Sequence, residues 1–365
     1  MKAPAGAPAW RLVLAPWVVS RLVALLALLV VVLTPGPLPK AGNAPDARGL
    51  WVWDAAWYRA IGESGYDGHV EGQNVLRFFP LLPLLGRALA PVLGSVDAAL
   101  LAVSWGAAFA YAVLLVRLVR VELGDEGTAR RVAWLAMVVP GAGVLVLAYT
   151  EPVSGALAVA FFLALRTNRP WLAVPLGILS GLARPTGLLL AAPAALEMLR
   201  HLRPVRARTL LAWSAAVLSS LLGTAFYCAW VGWRYGRPLL PYTVQASSEL
   251  RGGIAVSPVA HLFRTAPYGL DWRLQLGLLA LALVLLAGAA RRLPLAYASW
   301  SLLVLLAALT SAHGRSLPRY VAGAFPLLMV LALYTGGRRE RPAILVALGI
   351  FGYVAYLGFT GGYVL

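Results

Sequence analysis

The sequence predicts an all-α, polytopic membrane protein, and three observations carry that expectation. Of 365 residues, 61% are hydrophobic and only 12% are charged, about half the charged share of an ordinary soluble domain. The apolar residues fall in long blocks, among them 12–33, 98–116, 210–233, 274–290 and 344–365. Each block approaches the roughly 20 residues a helix needs to cross a ~30 Å hydrocarbon core. The third observation is where the basic residues sit. With the N-terminus placed in the cytoplasm, the short inward loops hold Lys2, Arg11, Arg117, Arg120, Arg130, Arg131, Arg166, Arg169, Arg200, Arg203, Arg206, Arg208, Arg291, Arg292, Arg338, Arg339 and Arg341, or 17 of 31 basic residues. Only five of the 14 acids (Glu122, Asp125, Glu126, Glu197, Glu340) share that side. This is the positive-inside pattern, so the net charge of +17 reports topology and gives no reason to expect a nucleic-acid partner.

In chain order, the pattern predicts about 11 transmembrane segments within a single membrane-embedded domain spanning 1–365. They lie near 10–33, 97–119, 131–149, 152–165, 170–183, 187–199, 209–233, 274–290, 293–310, 319–336 and 342–363. The first is too long for a secretion signal, and Thr34-Pro35-Gly36-Pro37 is no cleavage site, so it reads as a retained helix. Two outward loops are long, 34–96 and 234–273, while every inward loop is short. Function carried by loops is therefore expected on the outer face.

Two stretches need separate treatment. The run 77–85 is apolar but short and interrupted by Pro80 and Pro83. Counting it as a span would invert every later loop, so it belongs at the outer interface or against the bundle. The stretch 170–199, about 30 residues, is too short for two full spans at 1.5 Å per residue. Its middle, Leu182-Ala183-Arg184-Pro185-Thr186-Gly187, breaks the helix. Arg184 is expected to face the outer side or a water-filled cavity and to have a polar partner, because an Arg in lipid costs roughly 2.5–3.5 kcal/mol.

Four places can carry chemistry. In the first outer loop, a helix starting at Asp54 would put Trp53, Trp57 and Ile61 on one stripe and Asp54 with Tyr58 on the next, beside Arg59. Such a Trp-rich interfacial helix holds a carboxylate just above the headgroups. The alternative is that Asp54 is merely an N-cap. Glu151, in Ala148-Tyr149-Thr150-Glu151-Pro152, sits between two apolar helices and needs a cavity or a partner, or else is a solvated loop carboxylate. Arg184 suits a site or a structural salt bridge. His313, Arg315 and Arg319 gather three potential cations in an outer loop, a set that suits a phosphate or anchors headgroups.

Other chemistries are excluded. There is no Walker loop, dinucleotide fingerprint or nucleophile elbow. Four scattered His and the lone Cys228 give no metal spacing and no disulfide framework. Neither a metal nor a cofactor is expected. One outer-face carboxylate beside a phosphate-sized set of cations suits displacement at a sugar C1: the carboxylate takes the proton of an acceptor hydroxyl and the cations hold the departing phosphate. With no cytoplasmic domain to meet a nucleotide sugar, the fitting donor hangs from a lipid tail.

The residues Trp53-Asp54-x-x-Trp57-Tyr58-x-x-Ile61-x-x-x-Gly65-Tyr66, followed by Phe79-Pro80-Leu81-Leu82-Pro83, resemble the first luminal loop of the GPI mannosyltransferases that add the second mannose, and of their bacterial relatives. Thr150-Glu151, Ala183-Arg184-Pro185-Thr186-Gly187 and Pro318-Arg319-Tyr320 through Phe325-Pro326-Leu327 look like recurrent features of the wider GT-C class. The resemblance implies a GT-C-like arrangement and inverting transfer of mannose from a polyprenyl-phosphate donor, with Asp54 as base. It does not fix the acceptor. The Ala-, Leu- and Arg-rich usage suggests a bacterial plasma membrane and a glycolipid, lipoglycan or protein acceptor. The rival reading is a multi-pass transporter or lipid flippase for an anionic or lipid-linked sugar, which would explain Arg184 and the helix breaks but not the long outer loops.

Overall fold

The computed structural model describes residues 7–42, 44, 46–67, 72–201, 206–246, 270–309 and 316–362. Among these, every regular element is helical. The α-helices are α1 Ala9–Leu33, α2 Asp54–Ser64, α3 Leu81–Leu93, α4 Val96–Leu123, α5 Glu126–Val138, α6 Glu151–Arg166, α7 Pro170–Ala183, α8 Ala191–His201, α9 Ala207–Tyr235, α10 Leu240–Gln245, α11 Leu270–Arg292, α12 Leu295–Leu309, α13 Leu317–Gly323, α14 Phe325–Tyr334 and α15 Glu340–Phe359. Five helical stretches are long and apolar enough to cross a membrane: Ala9–Leu33, Val96–Leu123, Ala207–Tyr235, Gln275–Arg292 and Gly337–Phe359. The bent pair α13–α14 makes a sixth if taken as one span. These helices are consistent with an integral multi-pass membrane protein. The outer stripe of α1, with Leu22, Leu26, Leu29 and Leu33 exposed, is the surface a lipid-facing helix presents.

The other segments read from the sequence are helical but shorter than a span, at 13 residues in α5, 16 in α6, 14 in α7, 11 in α8 and 15 in α12. Two breaks have local causes. The stretch 131–149 stops being α-helical at Val138, because Pro140 lacks an N–H and disfavours helix in the residue before it. The stretch 319–336 bends by 77° between α13 and α14, where Pro326 cannot donate to, and clashes with, the carbonyl one turn back. The run 77–85 flows into α3, whose Leu82 and Gly86 press on the bundle while Leu84 and Val92 stay exposed. Most of the second long outer loop, 247–269, lies outside the described residues.

Small residues let α7 and α9 meet almost backbone to backbone. A Cβ added at Gly177 would stand 1.9 Å from Ser219 Oγ, one at Gly181 2.2 Å from the Ser220 carbonyl, and one at Gly223 2.0 Å from the Ile178 carbonyl. Such contacts gain van der Waals packing where lipid offers no hydrophobic drive, and they fix the end of α7 from which Arg184 projects.

At the opposite end, basic residues that the sequence placed inward clasp helices together. Arg166 grips Glu122 of α4 through two bonds of 2.6 and 3.1 Å and Glu197 of α8 at 2.9 Å. Arg130 holds Glu340 of α15 at 2.9 Å, and Arg131 donates to the Ala332 carbonyl of α14 at 2.6 Å. Glu122 and Glu197 are almost fully buried, so loss of their cation is costly. Arg166→Met should destabilise the protein by roughly 3–5 kcal/mol, leaving Glu197 only the exposed Arg200. Thermal melting of the detergent-purified variant checks this, with the triple variant that also neutralises both acids expected to melt closer to the wild type.

Candidate active site

The site is organised around a buried stretch with no α-helix, from Val139 to Thr150. Carbonyls without helical partners need donors, all the more where water is excluded. Neighbouring helices supply them. Arg21 of α1 donates to the Leu145 carbonyl at 2.7 Å, Trp105 of α4 to the Val146 carbonyl at 2.7 Å, and Ser104 to the Tyr149 carbonyl at 3.3 Å. Held in this way, the stretch meets the other parts of the site. Tyr149 Oη accepts the Asp54 amide at 3.2 Å, and Thr150 Oγ1 donates to the Ala183 carbonyl at 3.0 Å. Gly141 lies so close to the start of α13 that a Cβ there would be 2.0 Å from the Pro318 carbonyl.

Asp54 opens α2 but does not cap it. Trp53 occupies the cap position with φ 57° and ψ −124°, a conformation that costs a non-glycine residue on the order of 1–3 kcal/mol. The strain is held by the Trp53 amide on the Ala41 carbonyl at 2.7 Å and its indole on the Gly358 carbonyl at 3.3 Å. The N-cap alternative for Asp54 thus fails, since Trp53 holds the cap position and Asp54 lies in the first turn of α2. Instead Oδ2 accepts from Arg319 Nη1 at 2.6 Å.

From there a chain of charge runs inward. Arg319 Nη1 stands 3.7 Å from Glu151 Oε1, and the same Glu151 oxygen is 2.7 Å from Arg184 Nη1. Both guanidinium groups lie near the Tyr320 ring, at 5.3 Å for Arg184 and 5.9 Å for Arg319. Residues 54, 151, 184 and 319 are distant in sequence and adjacent in space. Arg319 and Glu151 are buried at the side chain and Arg184 largely so, whereas Asp54 keeps 30% of its side-chain surface exposed. Desolvation pushes the Asp54 carboxyl pKa up. The charge and hydrogen bond of Arg319, with Arg77 and Arg184 further off, outweigh it and hold the carboxyl below its unperturbed value.

Beside the arginines lies a small cleft, partly open to solvent. Glu151, Arg184, Arg319 and Tyr320 form its charged wall. Ala158, Leu190, Trp300 and Val304 are among its apolar walls. Guanidinium groups on one wall and apolar side chains on the others make the cleft amphipathic.

The remaining sequence candidates fall elsewhere. Trp57 and Tyr58 are buried, stacked flat and edge-on against Phe78 with centroids at 5.9 and 5.3 Å. They seat α2 on the chain beneath it, with Tyr58 inside the electrostatic reach of Asp54 and Glu151. Arg59 points away from the cluster, pairing with Asp97 at 2.9 Å and Glu63 at 3.2 Å and lying over Trp51. His313 and Arg315 lie outside the described residues. Among the described residues no group of His, Cys, Asp and Glu could hold a metal. The sequence reading missed Arg21, Arg77 and Tyr149 as parts of this assembly. Arg21 alone had a usable signal, as a charge in the middle of an apolar helix.

No protein-family model matches the chain, and no curated protein sequence matches it significantly. Gly141 offers a test of the geometry itself. Gly141→Ala should destabilise the protein by roughly 1–3 kcal/mol through overpacking, read as thermal melting. The loss should be smaller when Arg319→Ala is already present, because α13 can then give way.

Proposed function

We propose that this protein is an inverting glycosyltransferase of the GT-C type, moving a mannosyl residue from a polyprenyl-phosphate donor to a hydroxyl of a glycolipid, lipoglycan or protein acceptor. In this reading the five or six long apolar helices and the shorter ones together make about 11 membrane segments, with the N-terminus cytoplasmic. The cluster around Asp54 then faces the extracytoplasmic side of a bacterial plasma membrane.

The observation that carries the proposal is the linkage of one partly exposed carboxylate to two largely buried guanidinium groups that line a largely apolar cleft. Asp54 takes the proton of the acceptor hydroxyl, the oxygen attacks C1 from the face opposite the phosphate, and the phosphate leaves onto Arg319 and Arg184. Direct displacement by a single base inverts C1 and needs no acid, since phosphate leaves as an anion. The two planar guanidinium groups suit phosphate oxygens, and the apolar walls suit the first units of a lipid tail.

The transporter reading has the helix breaks and the buried arginines in its favour. Against it, Trp300 of the cleft wall packs edge-on against Phe162, which in turn packs against Tyr297 and Phe325, so on that side the cleft borders packed aromatic core.

The test is transfer of radiolabel from polyprenyl-phosphate-mannose by membranes carrying the protein. Asp54→Asn should lower kcat by about 10²–10⁴-fold in a protein that still melts normally. Arg319→Gln and Arg184→Gln should raise the donor KM more than the acceptor KM, whereas Arg59→Ala should leave both nearly unchanged. If neither this donor nor other polyprenyl-phosphate sugars label any acceptor, the transferase reading is lost to the transporter.

The pH profile has a stated sign. Because Arg319 holds the Asp54 carboxyl low, the base form persists as pH falls, and the acid limb of kcat/KM, which reports the free enzyme, should lie below 3.8. In Arg319→Gln desolvation acts with its main opponent gone, and the limb of the residual activity should move to higher pH.

A further inference from the structure

We propose that Arg319 is a shared counter-ion, held by the Asp54 carboxylate in the resting site and handed to the substrate phosphate during the reaction. Asp54 is then an internal competitor of the ligand it serves. This rests on the phosphate reading above and adds a claim about how the site is occupied.

The arrangement of charge leads to it. Asp54, Glu151, Arg184 and Arg319 are joined by contacts of 2.6, 3.7 and 2.7 Å, with Arg77 also in electrostatic reach of Asp54. A phosphodiester anion that reaches Arg319 from the cleft meets a cation already paired with Asp54 at 2.6 Å and near Glu151 at 3.7 Å. Like charges so placed repel strongly. For the anion to pair with Arg319 one carboxylate must yield, and the geometry selects which. Glu151 is buried at 6% side-chain exposure and bound to Arg184, while Asp54 is 30% exposed and opens a helix at the chain's surface. The backbone at Arg319 is wedged against Gly141, while its guanidinium lies 5.9 Å from the Tyr320 ring and can shift between partners. The cleft touches Arg319 and Arg184 but does not include Asp54 among its lining residues. An anion in the cleft and the Asp54 carboxylate therefore approach the same cation by different routes.

The reaction moves charge in the same direction. The acceptor O–H bond breaks and its proton goes to Asp54. The O–C1 bond forms as the C1–O bond to phosphate breaks, and the electron pair stays on the phosphate. Asp54 goes from −1 to 0 and the phosphate from −1 to −2, so the total is unchanged. The negative charge that Arg319 neutralises leaves Asp54 and appears on the leaving group. A guanidinium within reach of both can follow it.

The test is equilibrium binding of radiolabelled polyprenyl phosphate, which lacks the sugar, to full-length protein in lipid nanodiscs. The hand-over predicts that Asp54→Asn, although inactive, binds this ligand about tenfold more tightly than the wild type, equivalent to ~1.4 kcal/mol. Asp54→Glu, which keeps the competing charge, should bind like the wild type. Arg319→Gln should bind weakly, and adding Asp54→Asn to it should restore nothing. Polyprenol without phosphate should show no difference between wild type and Asp54→Asn, and inorganic phosphate should repeat the ranking at lower affinity. Equal or weaker binding by Asp54→Asn, with binding still lost in Arg319→Gln, overturns the hand-over and leaves the phosphate site standing. No binding by either wild type or Asp54→Asn, both melting normally, overturns the phosphate reading and this inference with it.

Discussion

The structure depends on how one buried stretch of non-helical backbone satisfies its hydrogen bonds. Between Val138 and Glu151 the chain gives up the α-helix inside a bundle whose other long segments keep it. Away from water every freed carbonyl is a liability of several kcal/mol. Arg21, Trp105 and Ser104 meet that demand from α1 and α4. The consequence is positional. A stretch pinned on one side presents Gly141 to α13, Tyr149 to α2, Thr150 to the end of α7 and Glu151 to two arginines. Three elements that share no sequence proximity are brought to one point by a segment that is itself held from two others.

The electrostatics follow from that placement. Each charge at the point has an opposite charge within 3.7 Å, as burial requires. The pairing is uneven, however. Glu151 Oε1 serves two arginines and Arg319 Nη1 faces two carboxylates, so neither Glu151 nor Arg319 belongs wholly to one partner. A saturated pair is inert toward a ligand. A shared cation beside a cleft can change partners at small cost, and it is the exposed member, Asp54, that has somewhere to go.

Much of this was legible in the sequence, at a certain grain. Apolar blocks and basic clusters located nearly all the helices, because hydrophobic length and loop charge are local signals. The helix start at Asp54 and the break at Arg184 were readable for the same reason, as was the need of Glu151 and Arg184 for polar partners: an Arg or Glu between apolar runs must find one. Which partner it finds depends on three-dimensional crossing, and nothing near residue 319 announces residue 54. The span count was not readable from composition, since 131–149 reads as one apolar stretch although Pro140 ends α5, and 319–336 reads as one although it bends before Pro326. Arg59 was drawn to the site by proximity to Asp54, but five residues along a helix turn it toward Asp97.

A second buried cluster, around Arg166, supplies the contrast that gives the Asp54 cluster its meaning. Arg166 stands between Glu122 and Glu197 much as Arg319 stands between Asp54 and Glu151, so the residue types are the same. Yet Arg166 binds both Glu122 oxygens and reaches Glu197 with a third nitrogen, all within 3.1 Å. Both acids are buried, and the three residues tie α4, α6 and α8 together. Every donor used there is spent on a helix-to-helix contact. Arg319 offers a single nitrogen to both acids, at 2.6 and 3.7 Å, and fronts a cleft. Composition therefore does not separate a structural clasp from a site. What separates them here is that Arg166 ties three helices together through both of its acids, whereas Arg319 lines a cleft and pairs with an acid that is partly exposed.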